Sequence, residues 1–188
     1  PAWSPDGQWL AFVSDRDDTR QVYRIAVTAG EAEKLTSAGE GVNAFAWAPD
    51  STRIAYTMTD PTSETIKERD KKYGEMRFED LDRKMAHLYL LDVATRETKP
   101  LTSGAFVVGS FDWSRDGTRI AFDHRVSSDP ADGGSADISV VTVANGERRR
   151  IAGDPVRPHA DVAAGRHPHE PQPLRRPGGR RRAGGRGV

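Results

Sequence analysis

The chain contains no cysteine, so disulfide bridges and thiolate metal sites are excluded. It has no uninterrupted apolar run near the ~20 residues of a membrane-spanning helix. Aromatic residues make up 7% of the 188 residues, and the last of them is Phe122. It opens at Pro1 with neither a methionine nor a signal-like apolar segment. We therefore expect a preceding stretch of chain, and the compartment is open between the cytoplasm, which is favoured, and a bacterial periplasm. Net charge is also lacking, because Lys+Arg and Asp+Glu are both 28. That balance points away from nucleic-acid and membrane partners. It conceals an asymmetry: residues 153–188 carry eight Arg against Asp154, Asp161 and Glu170, and the rest is mildly acidic.

What is present is a repeat. "WSPDGQWLAF" at Trp3–Phe12 returns as "WAPDSTRIAY" at Trp47–Tyr56 and as "WSRDGTRIAF" at Trp113–Phe122. Asp6-Gly7 and Asp116-Gly117 are hairpin-turn signals, because glycine takes a positive φ without steric cost. Asp50-Ser51 is the weaker version. Each turn is followed by a short apolar run that reads as a strand: Trp9–Ser14, Arg53–Met58 and Arg119–Asp123. A second half repeats too, as "VYRIAVTAGEAEKLT" (Val22–Thr36), "LYLLDVATRETKPLT" (Leu88–Thr102) and "ISVVTVANGERRRIA" (Ile138–Ala152). Its period-2 alternation marks strands. The turns at Gly30 and Gly146 have the expected glycine. Thr95-Arg96-Glu97 lacks one and predicts a strained or different turn.

From Leu35 to Trp47 and from Leu101 to Trp113 the separation is 12 residues in both cases. A constant linker means that successive units stack in the same way. Four antiparallel strands per unit at fixed phase predict an all-β partial β-propeller of about three blades. An irregular β-sandwich is the competing arrangement, but it has no reason to keep a Trp-x-x-Asp phase. The blades are expected at about 1–37, 42–104 and 107–152, the first lacking most of its innermost strand. Trp3, Trp47 and Trp113 are the expected blade-core aromatics. Ala11, Ala55 and Ala121 are the expected small residues at which neighbouring blades approach.

These motifs closely resemble the TolB-type (WD40-like) propeller repeat. The run from Thr59 to Thr102, followed by "GSFDWSRDGTRIAF", is similar to the N-terminal propeller of prolyl oligopeptidase-family serine peptidases, in the acylaminoacyl-peptidase or dipeptidyl-aminopeptidase-like branch. The resemblance covers about residues 1–152. It implies a non-catalytic domain that gates and orients peptide substrates for an α/β-hydrolase domain. That domain and the remaining blades, the expected partners, are absent from this chain. A TolB-like module for protein interaction or ligand binding is the alternative.

The family's Gly-x-Ser-x-Gly nucleophile elbow is not found. Gly133-Gly134-Ser135-Ala136-Asp137 lacks the closing glycine. No catalytic residue, cofactor or metal is therefore expected in this chain. His167-Pro168-His169 and the acidic run with Asp129, Asp132 and Asp137 fit no metal-site pattern.

The second unit carries an insertion, 60–86, with eight acidic and seven basic residues between Asp60 and Met85. Thr62 or Ser63 can cap a helix that ends at Gly74, with Ile66 and Tyr73 on one face. The helix is either a solvated decoration or a contact to another domain or a substrate entrance. In the second case Arg77, Glu79, Asp80 and Asp82 are the groups available.

A fourth Trp is due at position 163, where Ala163 stands. The stretch 153–188 has no aromatic to bury and should be disordered. It reads either as a genuine Arg/Gly-type tail or as the product of a reading-frame shift near residue 153.

Overall fold

The computed structural model describes residues 1–61, 64–74, 85–126 and 136–152. Twelve strands and one helix lie within them. The first sheet takes β1 (Ala2–Trp3), β2 (Trp9–Asp17), β3 (Thr19–Ala26) and β4 (Glu33–Lys34) in sequence order. The second takes β5 (Val42–Trp47), β6 (Arg53–Thr59), β7 (Ala86–Asp92) and β8 (Thr98–Pro100). The third takes β9 (Val107–Trp113), β10 (Arg119–Arg125), β11 (Asp137–Thr142) and β12 (Arg148–Ala152). All neighbouring strands are antiparallel. Three four-stranded meanders stacked in sequence are the partial β-propeller, and β1 is only two residues long.

The turn before each second strand follows from its sequence. Gly7 donates to the Ser4 carbonyl at 2.8 Å and Gly117 to that of Ser114 at 2.9 Å. Both glycines are left-handed, with φ of 70° and 67°, and Ser51 takes the same conformation at 61°. An aspartate fixes each loop from inside: Asp6 accepts from Gln8 N–H, Asp50 from Thr52 N–H and Asp116 from Thr118 N–H, each at 3.0 Å. The Ser114 hydroxyl and the Thr118 amide and hydroxyl hold the Asp116 carboxyl down at about 2. Arg96, in the turn without glycine, is left-handed at φ 64°. A non-glycine residue pays about 1–2 kcal/mol for that conformation.

Period-2 alternation gives every sheet two faces. We call the face toward the preceding blade leading and the face toward the following blade trailing. In the middle blade, Trp47, Ile54, Tyr56, Leu91 and Val93 lead, and they bury with Ala11, Val22 and Leu35 of the first blade. Ala55, Leu88, Leu90 and Leu101 trail, and they bury with Phe106, Ile120, Phe122 and Val141 of the third. Both clusters lie between sheets.

The repeat positions therefore have unequal surroundings. Trp47 is 7% exposed, whereas Trp3, expected as a blade-core aromatic, is 60% exposed. Trp3 occupies the leading face of the first blade, which no sheet covers among the described residues. Ala11 and Ala55 are fully buried, but Ala121, expected at a blade contact, lies exposed on the uncovered trailing face of the third blade.

A polar clamp ties the end of a blade to its third strand. Thr36 Oγ1 accepts from Val22 N–H at 2.9 Å and donates to Gln21 Oε1 at 2.7 Å. The Gln21 amide also bonds the backbone of Ala38 in both directions. One blade on, Thr102 Oγ1 accepts from Leu88 N–H at 2.9 Å and lies 3.3 Å from His87 Nδ1, while His87 Nε2 reaches the Gly104 carbonyl at 3.1 Å. In the third blade the two positions are Asp137 and Ala152, and Asp137 instead pairs with Arg150 at 3.3 Å. The Leu-Thr ending of the repeat thus satisfies a buried amide and a buried side chain together.

The insertion opens with α1 (Glu64–Tyr73) and closes it with a left-handed Gly74 at φ 81°, a helix C-terminal signal. Thr62, Ser63, residues 75–84 and the tail from 153 onward lie outside the described residues.

Equivalent side chains should differ in energy according to their neighbours. Leu88→Ala, fully buried between two blades, is expected to cost about 2–5 kcal/mol. Ile138→Ala, at the matching position but 45% exposed, should cost no more than about 1 kcal/mol. Urea unfolding of both variants measures the difference, and equal costs would contradict the face assignment.

Candidate functional site

The base of the insertion gathers most of the titratable groups that are packed inside the molecule. Asp60 follows β6, and its N–H bonds the Met85 carbonyl at 2.8 Å, closing the neck of the insertion. Two residues later β7 presents His87, only 3% exposed. The Asp60 carboxylate reaches His87 Nε2 at 3.3 Å and accepts from the Tyr89 hydroxyl at 3.2 Å. Tyr89 stacks on Tyr56 at 5.6 Å between ring centres. Burial, and then the Asp60 charge, push the Tyr89 phenol up to about 12, so it remains a donor at physiological pH.

Across the gap to the third blade, Phe106 is packed edge-on against His87, with ring centres 4.9 Å apart. It also meets His124 at 4.9 Å. The Arg148 guanidinium lies over Phe106 at 4.7 Å. His124 Nε2 is 2.9 Å from the Ser139 hydroxyl. Burial is the main cause lowering both imidazoles from the ordinary 6.5, and Arg148 adds to it. Asp60 opposes the shift at His87, and Asp137 and Asp123 oppose it at His124.

Asp60, His87 and Thr102 are aligned like a carboxylate, base and hydroxyl, the order of a hydrolytic triad. Their chemistry is otherwise. Carbonyl and carboxylate oxygens only accept, so Nε2 carries the proton toward Gly104 and Asp60, and neutral Nδ1 faces Thr102. The Thr102 hydroxyl is buried at 6% exposure and already receives the Leu88 N–H. In the first blade Thr36 makes the same bonds to Gln21, which cannot act as a base. The alignment is the structural clamp, with His87 in the place of Gln21.

Two clefts open between adjacent blades. The larger, about 660 Å³, lies between the second and third and is lined by Arg53, Leu90, Glu97, Lys99, Thr142 and Val143, among others. The smaller, about 390 Å³, lies between the first and second beside Thr36, Tyr56, Met58 and Arg96. The larger is of ligand size, but its cations are engaged. Arg53 pairs with Asp50 at 2.7 Å, and Lys99 Nζ is 3.5 Å from the Val143 carbonyl. Neither cleft brings a nucleophile to a free base.

Trp47, Asp50, Trp113, Asp116 and Gly117 sit at the blade contacts and their turns, and Asp6 N–H bonds the Ser51 hydroxyl of the second blade at 3.1 Å, whereas Trp3 is exposed on the leading face and Gly7 has open space around it. Arg77, Glu79, Asp80 and Asp82, along with Asp129, Asp132, Gly133, Ser135, His167 and His169, lie outside the described residues. Among the described residues, no three His, Asp or Glu side chains converge on a metal position. Sequence reading takes His87 as an ordinary structural histidine, as the clamp has it, and misses Asp60 and Gln21. The signal was there, because Gln21 and His87 stand at one repeat position, each immediately before the aligned second half.

The comparisons agree with this architecture. No protein-family model matches the chain. It is 36% identical over 137 residues to the Bacillus subtilis (strain 168) protein named uncharacterized peptidase YuxL, which takes in 65% of this chain and 21% of that protein. The chain thus spans about a fifth of the length of that curated relative. The acylaminoacyl peptidase of Pyrococcus horikoshii superposes with a TM-score of 0.57 at 20% identity, covering 81% of this chain and 24% of that one. TolB from Acinetobacter baumannii superposes at 0.52 and 23% identity, covering 80% and 31%.

The clamp histidine gives a pH signature. A group whose folded pKa is depressed binds fewer protons in the folded chain, so stability falls as pH drops below the unfolded value. The chain should weaken as pH falls below about 6.5. The surface carboxylates contribute only near and below about pH 4. His87→Gln, which copies the clamp of the first blade, should flatten part of that fall. Melting temperatures between pH 7.5 and 5 test this, and an unchanged slope in the variant would refute it. The described residues form three blades of a β-propeller, a fold that they share with the TolB and acylaminoacyl peptidase structures.

Proposed function

We propose that these blades are the propeller portion of a prolyl oligopeptidase-like serine peptidase. There they would restrict the size of peptide substrates and orient them for a hydrolase domain carried outside this chain. The observation that supports this most is the 36% identity over 137 residues to a protein named as a peptidase. That match is longer than any single repeat. The insertion neck at Asp60 and Met85 gives these blades a fixed attachment for a charged projection.

A second reading, suggested by the shared fold of the TolB structure, is that these blades serve as a protein-interaction or ligand-binding module.

Grafting residues 1–152 over the matching segment of the Bacillus subtilis relative separates the two. The graft should cleave a short acyl-peptide anilide and spare intact casein, and the ungrafted chain alone should cleave neither. Cleavage of both substrates at comparable rates would remove the gating role. Turnover by the chain alone that a substitution in the blades abolishes would overturn the non-catalytic reading.

A further inference from the structure

We propose that the cleft between the second and third blades binds a small zwitterion with an aliphatic body, its carboxylate on Lys99 and its ammonium on Glu97. The peptidase reading is not needed for this, because both walls of the cleft lie within the described residues.

The two blade junctions share one plan and differ at three matching positions. At the first, Glu33 pairs with Arg24 beside it and takes the Arg96 guanidinium of the next blade at 2.7 Å. At the second, the same positions are Lys99, Leu90 and Gly146. The strand register supports the match, because Arg24 lies opposite Glu33 as Leu90 lies opposite Lys99. Arg96 and Gly146 are the left-handed residues of successive outer turns, with φ of 64° and 72°. The charged bridge across the first junction is therefore missing from the second, and its acidic end has become basic.

The missing bridge leaves room. Arg96 lines the smaller cleft of about 390 Å³, whereas the larger one, about 660 Å³, receives no side chain from the turn at Gly146. A Cβ at Gly146 would meet only the Leu101 carbonyl of the second blade, at 3.9 Å.

Five charged residues line the larger cleft, and three of them are spent. Asp92 accepts from the Ala94 and Thr95 N–H groups, both at 2.9 Å. Asp116 accepts from the Ser114 hydroxyl at 2.6 Å and from Thr118 N–H. Arg53 pairs with Asp50. The remaining two are exposed and carry opposite charge. Lys99 meets only the neutral Val143 carbonyl, at 3.5 Å, so its charge is uncompensated. Glu97 has no side-chain partner among the described residues.

Two residues apart along an extended strand, Glu97 and Lys99 share a face and are separated by ~7 Å. Leu90 on the same face and Val143 across the gap supply apolar walls. One acceptor and one donor beside a hydrophobic wall match a molecule that carries an ammonium and a carboxylate on an aliphatic body. A free amino acid and a short peptide share that chemistry.

Isothermal titration of the full chain with leucine and with leucyl-leucine tests this and tells the two sources apart. At least one should bind, and its N-acetylated and C-amidated forms should each bind about tenfold more weakly or worse, having lost one charge-assisted contact. Lys99→Ala and Glu97→Ala alter exposed residues, and each should raise the dissociation constant by about the same factor. The double variant Lys99→Glu with Gly146→Arg rebuilds the bridge of the first junction inside the cleft. It should lose binding without a fall in melting temperature. Circular dichroism of each variant confirms that the sheets persist. Absence of binding by both ligands, affinity unchanged by blocking either end group, or full affinity in Lys99→Ala would each overturn the proposal.

Discussion

A single four-stranded sheet has no interior, and this constraint governs the whole molecule. Both apolar clusters form where one sheet is laid on another, so a blade becomes stable only through its neighbours. Among the described residues the middle blade alone is covered on both faces, and Ile54, Ala55 and Tyr56 in succession are at most 2% exposed. In the third blade the same three positions alternate between buried Ile120 and Phe122 and exposed Ala121. Place in the stack decides burial, and residue type only permits it.

This explains what was legible in the sequence and what was not. The strands, the left-handed turns and the α1 stop at Gly74 are local events, written within a few residues of where they occur. Arg96 in a positive-φ turn was visible as a missing glycine. The different exposure of Trp3 and Trp47 was not visible, because their motifs are the same and the difference lies in the sheet that packs against Trp47 among the described residues. The clamp lay between these cases. The Leu-Thr ending was plain, but the partners of Gln21 and His87 come from Ala38 and Gly104 in the linkers, at positions that carry no motif.

The same dependence on neighbours bears on function. The packed polar groups at the neck of the insertion are spent on holding β7 in place, and Thr102 has no freedom to attack anything. Substitution of His for Gln in the middle clamp couples the clamp to Asp60 at that neck. The third blade, with Asp137 and Ala152 at the clamp positions, has no counterpart.

The hairpin at Arg96 also has a meaning for how such repeats diversify. Its guanidinium bonds Glu33 at 2.7 Å and the Lys34 carbonyl at 3.2 Å, on the outer strand of the blade before it. Asn145-Gly146, at the corresponding place one unit later, closes on itself, with Asn145 accepting from Glu147 N–H. One loop is keyed to a particular neighbour at the expense of local ease, and the other would suit any. Copies of an ancestral unit that have acquired such keys can no longer be shuffled, so their order along the gene has become part of the architecture.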